Sequence, residues 1–310
     1  IRNAKTTLQA GFTTIREVGA PDFVDVELGK AIDLGWVNGP RIIPSGHAIG
    51  ITGGHCDITG FKAGVLEADY RAGVADGADG LIRAVRYQIK NGAQSIKICI
   101  TSGVLSSGPN AGILQLSEAE LRAIVEEAHR QKVKVTGHAH GKEGIIAASN
   151  AGIDSVEHAS MMDAETIGIL KRNGTYIVPT IFQWFLDYDY PPEQDAKNEY
   201  VKSFVEKSMS LAIKENVKIA FGTDSGVYPH GRNAEEFALL VKFGMKPIDA
   251  IRTATIHAAD LMGIQNRGRI EPELLADIIG VPGNPLEDIR LMENVSFVMK
   301  AGKVYKHLKD

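Results

Sequence analysis

Short apolar, β-branched runs recur along the chain, and most are followed by a stretch with helical spacing of apolar residues. Seven such runs are predicted to be strands: Phe12–Val18, Arg41–Ser45, Ser95–Thr101, Lys134–His138, Ser155–His158, Thr175–Thr180 and Lys218–Thr223. The runs are nearly continuous in hydrophobicity, which is typical of parallel strands that are buried on both faces. The chain is therefore predicted to consist of repeated strand–helix units.

The segments between these strands carry signals for helix starts and stops. Ser117 and Glu120 form a capping-box pattern that opens a helix, and Gly152 is predicted to end the helix after Lys134–His138. Alternating strands and helices require a parallel sheet with right-handed crossovers. Two architectures meet this requirement, a doubly wound sheet and a closed barrel.

A TIM-like (β/α)8 barrel is the favoured architecture, predicted to span residues 1–262. Ionisable residues fall at the carboxyl ends of several strands, and in a barrel those ends meet at one mouth. A doubly wound sheet would place a glycine-rich phosphate turn after its first strand, and residues 12–20 contain no G-x-G-x-x-G. Residues 263–310 indicate short strands with a turn at Pro282–Pro285, and they are predicted to belong to a small β-sandwich domain.

Composition and charge exclude several classes of protein. The 310 residues include 34 Lys+Arg and 38 Asp+Glu, a formal net charge of −4, so neither nucleic acid nor a membrane surface is predicted as a partner. No apolar stretch reaches the roughly 20 residues that a membrane span needs. The two cysteines, Cys56 and Cys99, are too few for a disulfide framework, and both are predicted to be packing residues.

The chain opens on IRNAKTTLQAG, a segment typical of the end of an amphipathic helix. We therefore expect the native protein to continue upstream of Ile1. The chain shows no signal segment, so we expect a cytoplasmic location, with a signal peptide upstream of Ile1 as the alternative. The aromatic loop at residues 188–192 is expected either to cover the barrel mouth or to serve in packing.

Four side chains at or near strand ends are candidate metal ligands. Lys97 lies within an apolar strand, where burial favours a neutral amine that can react with carbon dioxide, although a strand-edge salt bridge is the alternative. His138 and His158 end consecutive strands and are either ligands or structural histidines. Asp224 follows Lys218–Thr223, where it either binds metal or caps a helix. Four such ligands at one mouth favour zinc or a similar divalent cation.

Several local phrases resemble one known superfamily. They are GFTTIREVG, SGHAIGITGGHCD, VTGHAHG, SVEHAS, VPT, FGTDSGVYPHG and GRIEPELLADIIGVPGNPLEDI. Together with the order of lysine, histidines and aspartate along the strands, they resemble the amidohydrolase superfamily. Within it, the chain is similar to the imidazolonepropionase-related, prolidase-like branch of Xaa-Pro and Xaa-Arg/Lys dipeptidases and N-acyl amino acid hydrolases. The resemblance spans essentially the whole chain.

This resemblance implies a metal-dependent hydrolase that cleaves the amide or peptide bond of a dipeptide or N-acyl amino acid. Lys97 would be carboxylated and bridge two metals, taken to be Zn2+ with another divalent metal as the alternative. His138 and His158 would bind the more exposed metal. Asp224 would bind the buried metal and act as general base and then general acid toward a metal-bridging hydroxide.

The same resemblance implies further residues that contact the substrate. His140 resembles a family residue of the catalytic centre that touches the substrate. Tyr228 and His230, in the loop after the last strand, are candidates to hold a substrate carboxylate, and Arg232 could add a bidentate charge. His55, in the GGHCD loop, could reach the mouth.

The sequence departs from the family at its first barrel strand, which ends in H-x-H and supplies two ligands for the buried metal. The first histidine here is His47, in the segment that matches the third strand. We therefore expect a barrel that lacks its first strand in this chain, with only a remnant of the small β domain. We expect a homo-oligomer with a small-molecule substrate. The alternatives are a cyclic-amide hydrolase or deaminase of the same superfamily, or an inactive fragment or scaffold without the histidine pair.

Overall fold

The computed structural model describes residues 1–106, 110–187 and 190–308. Residues 188 and 189 of the predicted aromatic loop lie outside them. Within the described residues, the α-helices are α1 (Arg2–Gln9), α2 (Val24–Asp33), α3 (Gly77–Lys90), α4 (Glu118–Arg130), α5 (Lys142–Asn150), α6 (Ala164–Asn173), α7 (Pro192–Lys214), α8 (Glu235–Lys242), α9 (Pro247–Thr253) and α10 (Ile256–Met262). The strands there are β1 (Thr14–Arg16), β2 (Arg41–Ile43), β3 (Ser95–Cys99), β4 (Lys134–Ala139), β5 (Ser155–His158), β6 (Tyr176–Val178), β7 (Ile278–Gly280), β8 (Phe297–Lys300) and β9 (Lys303–His307).

A four-stranded parallel sheet, in the order β3-β4-β5-β6, forms the centre of the fold. Its register places Cys99 of β3 beside His138 of β4, and Ala139 of β4 beside His158 of β5. Because the strands are parallel, their carboxyl ends lie along one edge of the sheet. This edge therefore collects side chains that the sequence places at strand ends.

Parallel pairing continues on both sides of this sheet. β1 and β2 form a separate parallel pair, and an isolated bridge joins Ile49, which follows β2, to Ile98 of β3. On the other side, a bridge joins Ile177 of β6 to Ile219. The predicted α/β fold with parallel sheets is confirmed.

Six of the seven predicted runs contain a strand, and most of these strands are shorter than predicted. The prediction of a strand at Lys218–Thr223 is wrong, because among the described residues this run contributes only the bridge at Ile219. The backbone N–H of Phe221 donates to the carbonyl of Thr253, at the end of α9, and not to a strand. The chain therefore leaves the sheet soon after this bridge.

Both predicted helix signals are confirmed. The Ser117 side chain accepts from the backbone N–H of Glu120, and the Glu120 side chain accepts from the backbone N–H of Ser117, which completes the capping box of α4. Gly152 follows α5 with a φ of 88°, a left-handed conformation that suits glycine at a helix end.

Apolar side chains of β3 and α4 form part of the main core. Ile96 and Ile98 of β3 and Leu121 and Ile124 of α4 are fully buried. Burying a side chain of this kind contributes roughly 1.5–3 kcal/mol. The packing fixes β3, which carries Lys97, against the layer of helices. In the part of the chain that the structure describes, no helix is long and apolar enough to cross a membrane.

The C-terminal region contains a three-stranded antiparallel sheet in the order β7-β8-β9, which confirms the short strands predicted there. Leu8 of α1 packs with Val295 and Val298 in a small core beside this sheet. Gly283, within the predicted turn, has a φ of 88°. The division of the chain into residues 1–262 and 263–310 stays a prediction.

The prediction that both cysteines only fill space is wrong. Cys56 and Cys99 are joined by a disulfide, with their Cα atoms 5.9 Å apart. Cys99 lies at the end of β3, and the loop that contains Cys56 folds back over this end. Two cysteines 43 residues apart give no pairing signal in the sequence, so the fold decides this bond.

Candidate active site

Lys97, His138 and His158 come from three adjacent strands and are all buried, with Lys97 only 7% exposed. Burial lowers the pKa of Lys97, because the charged ammonium loses its hydration, and the nearby carboxylates of Glu157 and Asp224 oppose this shift in part. Lys97 is therefore buried, as the sequence analysis expected. Its carboxylation stays a prediction.

Four histidine rings form a cluster at the carboxyl ends of β4 and β5. The ring centroids of His138 and His158 are 4.7 Å apart, and His140 lies 4.6 Å from His138 and 5.0 Å from His158. The ring of His55 lies 4.2 Å from that of His138. Burial lowers the pKa of all four, to about 3 for His140 and about 4 for His55. The cluster therefore consists of neutral imidazoles, the form that binds metal.

Hydrogen bonds fix two of these rings. His158 Nδ1 lies 2.6 Å from Thr180 Oγ1, and His140 Nδ1 lies 3.0 Å from Ser160 Oγ. By contrast, His138 Nε2 is buried and has no hydrogen-bond partner within the described part of the chain. A buried polar atom of this kind calls for a ligand, an ion or a water molecule.

A cavity of about 180 Å³ connects these strands with the segment after Ile219. Lys97, His158 and Asp224 all line it, together with Glu17 and Glu157. Burial raises the pKa of Asp224, and the charge of Lys97 opposes the shift. The structure thus brings together the four predicted metal ligands, three in one cavity and His138 beside His158.

Two acidic residues of this cavity were missed by the sequence analysis. Glu17 directly follows β1, and burial, strengthened by the charges of Asp25 and Asp224, raises its pKa to about 7. Glu157 precedes His158 and forms a 2.8 Å ion pair with Arg16. Glu17 lies within the predicted strand Phe12–Val18, and only the shorter β1 of the structure places it at a strand end.

The predicted substrate contacts fall into two groups. His140 and His55 lie in the histidine cluster, and His230 lines the cavity, with its Nδ1 2.9 Å from Thr7 Oγ1. Tyr228 and Arg232 are not among the described residues that line this cavity.

Both of those side chains contact Phe182, which explains their position. Tyr228 is buried with its ring 5.0 Å from that of Phe182. The guanidinium of Arg232 lies 4.8 Å from the same ring, and its Nε donates to Glu235 at 2.6 Å. A role for Tyr228 and Arg232 in holding a substrate carboxylate stays a prediction.

The backbone at Gly103 leaves space for the ring of His55, because glycine has no Cβ atom. Gly103 lies directly against the ring, and a Cβ atom at Gly103 would fall 2.3 Å from His55 Cε1. Trp184, which the sequence analysis missed, packs its ring 5.4 Å from that of His140. Gly103 and Trp184 therefore complete the wall around the histidines.

The donor set fits a divalent cation provided that Lys97 takes part. Among the described residues, no three His, Cys, Asp or Glu side chains form a group that could hold a metal ion. His138 and His158 offer neutral imidazoles, and His138 Nε2 is an orphaned buried atom that a cation would satisfy. A carboxylated Lys97 would supply the anionic oxygen that the set otherwise lacks.

Parallel strands whose carboxyl ends gather a lysine, histidines and carboxylates around a cavity fit the site that the resemblance implies. In agreement, residues 2–305 match the amidohydrolase family, and the chain belongs to this family. It is a hydrolase that acts on C–N bonds.

Similar proteins indicate which branch of the amidohydrolase family this chain resembles. The chain is 37% identical to ochratoxinase of Aspergillus niger, over 98% of this chain and 68% of that protein. It is similar to the crystal structure of a Xaa-Pro dipeptidase with methionine bound in the active site, with 40% identity and a TM-score of 0.95 over 98% of this chain and 78% of that one. A prolidase complexed with n-methylphosphonate-l-proline shows 31% identity and a TM-score of 0.91, over 99% and 78%. The predicted resemblance to the prolidase-like branch is confirmed.

Proposed function

We propose that this chain is a metal-dependent hydrolase that cleaves the amide bond of a dipeptide or an N-acyl amino acid. The observation that carries the proposal is the convergence of Lys97, His138, His158 and Asp224 at one edge of the parallel strands. Similarity to proteins named Xaa-Pro dipeptidase and ochratoxinase supports this chemistry.

The proposed architecture is a TIM-like barrel over residues 1–262 with one further strand between β1 and the segment at Ala220. Residues of both segments line the same cavity of about 180 Å³. Phe12 stacks on Phe221 across this region, with ring centroids 5.6 Å apart. A strand between these two segments would pair with the backbone edges of both.

The proposed cofactor is zinc, with two ions when the barrel is complete. His138, His158, Asp224 and the carboxylated Lys97 would hold it. A bound divalent cation polarises the amide carbonyl and lowers the pKa of water. For carboxylation, the neutral Lys97 Nζ forms an N–C bond with carbon dioxide, one C=O bond opens to a carboxylate, and a proton leaves to solvent.

Asp224 is proposed to move the proton in the reaction. Its carboxylate accepts a proton from the attacking water and then donates it to the nitrogen of the leaving amine, so that the C–N bond breaks as a neutral amine departs. Burial raises the pKa of Asp224, which strengthens this carboxylate as a base toward the proton of the attacking water.

The substrate is proposed to be held by residues around the cluster. His140 keeps Nδ1 on Ser160 and would use its other ring nitrogen for the substrate. His230, held by Thr7, would bind the substrate carboxylate together with Tyr228. Arg232 already shares its charge with Glu235 and would add less.

A substrate panel tests this proposal. Zinc-loaded protein is offered dipeptides, N-acyl amino acids, cyclic amides and aminated heterocycles, and the release of amino acid, ring-opened product or ammonia is followed. We expect amino acid release, and we expect Asp224→Asn to lower kcat on the order of 10²- to 10⁴-fold through loss of proton transfer. Ring opening or ammonia release alone would favour the cyclic-amide hydrolase or deaminase.

Metal analysis of the same samples separates an enzyme from a scaffold. We expect bound divalent metal in the wild type. Protein that binds none, and hydrolyses nothing on the panel, would contradict the proposed function.

A further inference from the structure

Two buried polar side chains, one just before α8 and one in its first turn, have no part in the mechanism above. Glu236 is 0% exposed, and Asn233, three residues earlier, is also buried. Burying a polar group lowers stability unless the group is hydrogen-bonded. The hydrogen-bond partners of Glu236 and Asn233 therefore indicate the role of these two side chains.

Glu236 holds the chain that follows β6. One carboxylate oxygen accepts from the backbone N–H of Ile181 and the other from that of Phe182, each at 2.7 Å. Burial raises the pKa of this carboxyl to about 8, although both N–H groups favour the charged form. The carboxyl thus fixes two consecutive peptide units next to the candidate site.

These peptide units directly follow Thr180, which orients His158. Thr180 has a φ of 48°, a left-handed conformation that costs free energy for a residue other than glycine and needs support from its surroundings. Its Oγ1 lies 2.6 Å from His158 Nδ1, and Gln183 Nε2 donates to the same oxygen at 2.9 Å. The hydrogen bonds of Glu236 therefore reach the His158 ring through one residue.

Asn233 holds the other side of the site. Its Nδ2 donates to Thr223 Oγ1 at 3.0 Å and to Ser225 Oγ at 2.7 Å, so it is hydrogen-bonded to both neighbours of Asp224. Its Oδ1 accepts from the backbone N–H of Gly231 at 3.1 Å. Asp224 itself has a φ of 57°, which again needs outside support.

We propose that Asn233 and Glu236, here named the α8 clamp, are positioning residues that set His158 and Asp224 relative to each other. Asn233 lies in the turn that leads into α8 and Glu236 lies in the first turn of α8, so the two anchor points are three residues apart. The proposal rests on the proposed function, since His158 and Asp224 belong to its site.

The test compares Asn233→Ala and Glu236→Gln with Glu127→Gln in the zinc-loaded full chain. Glu127 of α4 is a matched control, because it is also a buried glutamate (2% exposed) but pairs with Arg86 and not with the site. We expect both clamp variants to lower kcat on the order of 10- to 100-fold, since small displacements of reacting groups have effects of this size. In Glu236→Gln, KM should change by less than about 3-fold, because Glu236 does not line the cavity.

The control distinguishes positioning from general stability. Glu127→Gln should lower the urea midpoint of unfolding by an amount similar to that of Glu236→Gln, yet keep kcat within about 2-fold. Clamp variants that stay folded and keep full kcat would overturn the proposal. An equal loss of kcat in the Glu127 variant would also overturn it.

A second readout does not depend on the substrate. In spectra of ¹⁵N-histidine-labelled protein, the His158 signal, assigned by its loss in His158→Asn, should shift in Glu236→Gln and stay in place in Glu127→Gln. An unmoved signal in Glu236→Gln would overturn the clamp. If the wild type hydrolyses nothing on the panel but this shift occurs, the proposed function fails and the link from Glu236 to His158 stands.

Discussion

The two sides of the parallel strand system position their functional side chains in different ways. On one side, β3 to β6 pair in continuous register, and Lys97, His138 and His158 project from paired, buried strands. On the other side, β1 and β2 pair over three residues, and the segment at Ile219 contributes a single bridge. Backbone pairing therefore fixes the first set of side chains directly.

The side formed by β1, β2 and the segment at Ile219, here called the weaker side, depends on side-chain hydrogen bonds. Asp224 lies between two residues gripped by Asn233, and Arg16 of β1 reaches across the interior to Glu157 at 2.8 Å. In a low-dielectric interior such bonds are strong while complete and costly when broken. Backbone pairing therefore positions Lys97, His138 and His158, whereas side-chain hydrogen bonds position Asp224.

The largest expected effect comes from the paired side. We expect Lys97→Ala to abolish metal retention and to lower kcat/KM on the order of 10³-fold, because the anionic oxygen and the charge stabilisation it brings are lost. Metal content after gel filtration and dipeptide hydrolysis measure the change.

Lys142 supplies the control for this variant. It is a surface lysine paired with Asp163 and Glu165, so Lys142→Ala should keep both metal and activity. If Lys97→Ala retains the wild-type metal content, the role of the paired strands as the metal platform is contradicted.

A smaller effect tests the tie between the two sides. Arg16→Ala leaves Glu157 as a buried charge without its partner, and we expect a loss of about 3–5 kcal/mol in the free energy of unfolding. The exposed pair Lys30–Glu27 is the matched comparison, for which Lys30→Ala should cost at most about 1 kcal/mol. Urea unfolding measures both, and equal losses would show that the interior pair does not join the two sides.

The smallest expected effect is a pH dependence on the weaker side. The pKa of Glu17 rises from an ordinary 4.5 to about 7 in the folded state. Between these values the folded protein keeps the proton that the unfolded chain has lost, so stability falls as pH rises and then stays level. We expect wild type to lose up to about 3 kcal/mol relative to Glu17→Gln over this range.

Urea unfolding of chelator-treated protein at several pH values gives this difference. Chelation removes any contribution from metal binding. A difference between wild type and Glu17→Gln that does not change with pH would mean that folding does not raise the pKa of Glu17.

The sequence predicted the strands of the paired side, β3 to β6, well, but it predicted the run Lys218–Thr223 of the weaker side poorly. β5 has its predicted bounds, and the ends of β4 and β5 carry the expected histidines. The run Lys218–Thr223 has the same apolar pattern, yet the backbone of Phe221 bonds to Thr253. An apolar pattern indicates that a segment tends to be buried, but it does not indicate which backbone partner is available.

Several features of this protein follow from short stretches of its sequence. Apolar spacing predicted most strands, the capping box predicted the start of α4, and the residue types at strand ends supplied candidate metal ligands, whose role stays a prediction. These features depend on neighbours in sequence, so the sequence alone suffices for them.

Only the tertiary structure decided the links between distant segments. The Cys56–Cys99 disulfide, the proximity of Glu17 to Asp224 and the grip of Glu236 on the chain after β6 each join parts of the chain that carry no mutual signal. Their partners are set by how strands and helices pack in three dimensions, because a hydrogen bond or a pKa shift depends on distance in space and on burial.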